Sequence, residues 1–166
     1  MRKLGIALIV LGLIFGVSGK TMAAGTANQT VQFQVTAIDE ISVNGNPGPL
    51  IVTNVAAAGS EPTQVSDDTT TYNITTNGTS RKITGQITSG GAMPANTTLQ
   101  LNLAAPTGGT SQGDVTLLDS AASDLVTGIS QKAESNLTIT YKFGATVAAG
   151  VVSSSSRTVT LTLTAS

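Results

Sequence analysis

The chain has no cysteine, no histidine and no tryptophan among its 166 residues. Without cysteine there are no disulfides, no thiol nucleophile, no zinc–thiolate site and no lipid anchor on a cysteine. Without histidine there is no imidazole base and no imidazole metal ligand. Aromatic residues make up 3% of the chain and charged residues 10%, against a usual charged share of about 25%. Surface polarity therefore comes from uncharged groups. Threonine alone occurs 27 times, and its branched Cβ favours the pleated backbone over the helix. Low hydrophobicity with high net charge marks a disordered chain, and neither holds here: mean hydropathy is +0.22 and formal net charge is −1. The expectation is a folded, neutral, all-β protein.

Residues 1–24 read as a cleaved secretory signal. Arg2 and Lys3 precede an apolar core over residues 4–17, and Thr21-Met22-Ala23-Ala24 supplies small residues for cleavage. The apolar core falls short of the roughly 20 residues a membrane helix needs, and glycines dilute it. Removal of this leader leaves five basic and nine acidic residues, a net charge of −4. No basic stripe survives, which argues against nucleic acid as a partner. No second apolar run follows, so no membrane span is expected after cleavage. The mature product is expected to be secreted, extracellular or at the cell surface.

The plan of the fold is plainest at the C-terminus. Leu137, Ile139, Tyr141 and Phe143 alternate with threonine and lysine, and Val159, Leu161 and Leu163 alternate with threonine. A period of two puts one set of side chains on each face, and the two runs are expected to pair as an antiparallel hairpin. Val31, Phe33, Val35 and Ala37 alternate with Gln32, Gln34 and Thr36, predicting a further amphipathic strand over residues 27–38. Residues 41–43 resume this pattern, and 50–55 form a short strand candidate after the turn cluster at 44–49. Strands are also expected over 69–76, 81–88, 98–104 and 115–118. Asn77-Gly78 between two of them signals a hairpin. Residues 120–130 are open between a helical turn and a strand. Eight to ten short antiparallel strands separated by turn signals point to a β-sandwich, Ig-like or jelly-roll-like, over residues 39–166.

Candidate chemistry is thin. Lys82, Lys132 and Lys142 lack the S-x-x-K context of a serine–lysine pair. Asp67, Asp68, Asp114, Asp119 and Asp124 are the carboxylates available for glycoside chemistry. The three at 114, 119 and 124 recur every five residues in loop-like sequence, a weak calcium pattern with no EF-type loop. Solvated loop carboxylates are the expected reading of all of these. No catalytic, cofactor-binding or metal residue is assigned, and no enzyme is expected. Asn28, Asn73, Asn77, Asn96 and Asn136 head N-x-[ST] triplets, which arise by chance in a chain this rich in threonine and asparagine.

A leader, an alternating N-terminal segment, a Thr/Ser/Asn/Gly-rich β-domain and an alternating last strand at the C-terminus together make the chain resemble donor-strand pilins and related secreted filament subunits. The resemblance implies a homopolymer in which residues 25–38 complete a neighbour's sheet. Val31, Phe33, Val35 and Ala37 would then enter an acceptor groove lined by Leu137, Ile139, Tyr141, Val159, Leu161 and Leu163. The chain lacks the cysteine pair and penultimate tyrosine of chaperone–usher pilins, so dependence on a chaperone and usher does not carry over. The rival expectation is a monomeric secreted module that binds a surface glycan, or a host or neighbour-cell protein, through loops 44–49, 56–68 and 105–114.

Overall fold

A computed structural model describes residues 25–166; the leader expected over residues 1–24 lies outside them. The compact β unit is Val35–Ser166, and residues up to Gln34 belong to a separate unit. Among the described residues there are nine strands in two antiparallel sheets, a β-sandwich. They are β1 (Asp39–Asn44), β2 (Val65–Thr76), β3 (Arg81–Ser89), β4 (Thr97–Leu103), β5 (Thr110–Ser111), β6 (Val115–Thr116), β7 (Ser123–Ile129), β8 (Lys132–Ala145) and β9 (Thr158–Ala165). The first sheet runs β1-β2-β8-β4-β6 and the second β5-β7-β3-β9.

Alternation decides which side chains fill the space between the sheets. Tyr72, Ile74, Leu99, Leu101, Leu103 and Ile139 of the first sheet meet Ile83, Ile87, Leu125, Val126 and Ile129 of the second, with Leu117 beside them. The buried Tyr72 phenol donates to the Ala104 carbonyl at 2.6 Å, so the largest core side chain leaves no polar atom unsatisfied. Burial, and secondarily the nearby Glu134 carboxylate, push its pKa far above the ordinary tyrosine value. Gly85 faces the core where a Cβ would come within 2.7 Å of Leu125 Cδ1, so a larger residue there would push the Leu125 side chain aside.

Three local expectations are corrected. The two C-terminal strands do not form a hairpin: β8 lies between β2 and β4, whereas β9 pairs with β3 in the opposite sheet. Both edges of β8 are taken, and the long connection over residues 146–157 has the reach to cross the roughly 10 Å between sheets. The Asn77-Gly78 stretch is likewise an arch between sheets, because β2 is flanked by β1 and β8 and β3 by β7 and β9. It is held by Thr76 Oγ1, which accepts from the Gly78 N–H at 3.0 Å, and the positive φ falls on Ser80. Residues 50–55 form no strand; a single bridge joins Val55 to Pro62. Residues 25–38 make no strand pairing with any described residue, and the ladder begins at Asp39. The open stretch over residues 120–130 resolves into β7.

Candidate assembly interface

The sandwich has two poles. Arg81 is opposite Ala165 and Asp39 opposite Thr76 at one of them, where the Ser166 N–H also donates to the Ser80 carbonyl at 2.9 Å. The N-terminal segment enters the sandwich here, so we term it the exit pole. At the far pole, Ser89 is opposite Thr158 and Val65 opposite Phe143.

Two groups fix the chain at the exit pole. The Asp39 carboxylate accepts from Thr76 Oγ1 at 2.5 Å and Arg81 Nε at 3.0 Å, and pairs with Arg81 Nη2 at 2.9 Å, tying the start of β1 to both sheets. The Thr76 hydroxyl, then the Arg81 guanidinium, hold its pKa below the usual carboxylate value against partial desolvation. The Asn77 side chain acts as a surrogate strand partner. Its Oδ1 accepts from the Ile38 N–H at 2.9 Å and its Nδ2 donates to the Thr36 carbonyl at 2.7 Å, while the Asn77 N–H donates to the Ile38 carbonyl at 3.1 Å. Pairing stops there because β2 has ended.

Beyond this clamp the alternating segment is bare. Val31 is 73% exposed, Phe33 93% and Val35 79%, and Ala37 is exposed too. A row of large apolar side chains this exposed is uncommon on a folded surface.

The four sheet edges differ in how they are protected. β5 and β6 are two residues each, and β1 opens with Asp39 and Glu40. Short length and charge are standard ways of blunting an edge. β9 has neither: Thr158–Ala165 reads TVTLTLTA, eight residues with no charge, proline or glycine. Its inward Val159, Leu161 and Leu163 stay half-buried against the core, and its outer edge pairs with no strand among the described residues. β1 and β9 approach within 8 Å between Cα atoms.

The six acceptor residues proposed from sequence are thus divided. Val159, Leu161 and Leu163 lie on the free-edged β9. Leu137 and Tyr141 are half-buried on β8, an interior strand, and burial raises the Tyr141 phenol above its ordinary pKa. Ile139 is 2% exposed and covered by the chain's own core. Asn77, Asp39 and the selective bareness of β9 escaped the sequence reading. The first was masked because Asn-Gly reads as a turn.

Three of the carboxylates and all three lysines weighed for chemistry have partners elsewhere. Asp114 pairs with Lys142 at 2.5 Å, Asp124 with Lys82 at 2.9 Å and Glu134 with Lys132 at 3.8 Å. Asp67 accepts from Thr69 and from the Gly48 N–H. Among the described residues no three acidic, histidine or cysteine groups gather where they could hold a metal ion, and no helix is long and apolar enough to cross a membrane. A cleft of about 200 Å³ beside Met93, Leu99 and Leu117 is smaller than the roughly 300 Å³ where ligand pockets begin. No family model, curated protein or solved structure matches the chain.

Proposed function

We propose that this chain is a secreted, non-enzymatic structural protein, the subunit of an extracellular or cell-surface filament in which each copy donates residues 31–37 to the β9 edge of the next. The observation that carries this reading is the coexistence, in one chain, of a bare alternating segment and a bare alternating edge. Strand addition satisfies the main-chain groups of both, and alternate side chains find the inner face. Val31, Phe33, Val35 and Ala37 would cover Val159, Leu161 and Leu163, while Gln32, Gln34 and Thr36 would face solvent beside Thr158, Thr160 and Thr162. Neither strand carries a charge.

β9 runs from the far pole to the exit pole. A donor parallel to it would bring Ala37 to the acceptor's exit pole, set two exit poles together and favour a closed reciprocal pair. An antiparallel donor puts Ala37 at the far pole and makes a head-to-tail, heterologous contact, which repeats into an open polymer. The filament reading therefore requires the antiparallel arrangement.

Negative-stain microscopy and size-exclusion chromatography of the secreted protein, with and without residues 27–35, test the proposal. The full chain should polymerise, and the shortened chain should be a folded monomer with an unchanged β-sheet circular dichroism spectrum. Polymers that survive the deletion would overturn strand donation, as would a shortened chain that merely unfolds.

A further inference from the structure

Resting on that reading, we infer that the subunits also meet body to body, the exit pole of one copy seating on an apolar patch at the far pole of the next. The argument begins with linker length. Asn77 holds Thr36 and Ile38 to the donor's own body, and β1 starts at Asp39. Only two residue steps separate Ala37 from that strand, a span of about 7 Å at the rise of a β-strand. With Ala37 beside the start of the neighbour's β9, the two bodies are closer than the roughly 10 Å that separates packed sheets. No slack remains for them to stay apart.

The far pole is built for such a contact. Residues 146–157, which cross between the sheets there, contain a single 3-10 turn at Val147–Ala149. Val147 is 67% exposed and Val151 fully exposed. Glu61 Oε2 accepts from the Val147 N–H at 2.7 Å, tying this turn to the stretch that bears the Val55–Pro62 bridge, and Val55 is also exposed. Asn96 secures the other side, donating to the Ala148 carbonyl at 3.2 Å and accepting from the Thr146 N–H through its own carbonyl. Val147 and Val55 thus lie exposed on segments tied to each other through Glu61. The occupant is a second copy of this chain, whose exit pole presents the partly exposed Ile38 beside the clamp.

Two changes test the contact. In a chain carrying Val147→Asp and Val151→Asp, the critical concentration for assembly should rise at least about tenfold, because each charge would be buried without a partner. Both positions are exposed in the monomer, so its melting temperature should hold. In a second chain, six Gly/Ser residues inserted between Val35 and Thr36 leave the clamp intact, shorten the donor to residues 31–35 and let the bodies separate. This chain should still polymerise, but with filaments several-fold more flexible by persistence length, and adding the two aspartates to it should change little further. If the aspartates leave the critical concentration within about twofold and the linker leaves filaments straight, the body contact is wrong and strand donation stands. If the native chain fails to polymerise, strand donation falls and takes the body contact with it.

Discussion

Single atoms in this sandwich carry testable energies. Thr70 is 4% exposed, and its Oγ1 is buried with no hydrogen-bond partner, at the point where the β2–β8 register shifts between Asp67 and Thr70. An unsatisfied buried hydroxyl costs about 1–3 kcal/mol, whereas an apolar group of the same shape can be neutral or stabilising. Thr70→Val should therefore raise stability by about 1 kcal/mol, read as a higher urea midpoint at unchanged m-value; a lower midpoint would mean that the hydroxyl finds a partner in solution. Asn77 makes the opposite case. Asn77→Ala removes two hydrogen bonds from the exit clamp and should cost about 0.5–1.5 kcal/mol. Hydrogen exchange at the Ile38 amide should accelerate while the amides of β3 stay protected. A global loss of protection would show that Asn77 holds up the sandwich rather than only the chain's point of entry.

At the scale of strands, alternation made most of the β content legible in the sequence and left their pairing hidden. The rows Leu99-Leu101-Leu103 and Val159-Leu161-Leu163 announce faces, and those faces are buried or half-buried as a period of two requires. Partners depend on which edges are already occupied, a non-local property. Hence Asn77-Gly78 and residues 146–157 read as local turns but are arches between sheets. Residues 27–38 read as an amphipathic strand, and among the described residues they pair with no strand. The bareness of β9 is written in the sequence as an absence of charge, and it becomes informative only once β9 lies at an edge. The proposed pairing of these two segments leads to a prediction in trans. A peptide of residues 29–38, added to the chain lacking residues 27–35, should bind the β9 edge and raise the melting temperature with concentration. At 100 times its dissociation constant the gain should be about 2.7 kcal/mol. Burying a Phe side chain is worth about 1.5–3 kcal/mol, so the same peptide with Phe33→Asp should give no shift at matched concentration. Equal shifts from both peptides would mean that the effect is not strand addition.

For the whole molecule, charge separates the stability of the body from that of the proposed joint between copies. Asp39, Asp67, Asp114 and Glu134 all have pKa values below their ordinary positions, held there first by Thr76, Thr69, Lys142 and the Thr107 N–H respectively. A carboxyl group depressed in the folded state adds stability that is present above its unfolded pKa and is lost as pH falls through the folded one. With no histidine to titrate near neutrality, the melting temperature should be flat between about pH 6 and 8 and fall below about pH 4. Asp39→Asn should remove part of that fall. The two strands of the joint contain no titratable side chain, since residues 25–38 and 158–165 carry no charge. Their main-chain bonds and apolar contacts are insensitive to screening. Filaments should therefore persist in about 1 M salt, where the Debye length is near 3 Å. In acid they should come apart only where the body itself unfolds, so turbidity or light scattering and circular dichroism should change over the same pH interval. Filaments that dissolve in salt, or at a pH where the sandwich is still folded, would place charged groups in the joint and exclude residues 31–37 paired with β9 as its main element.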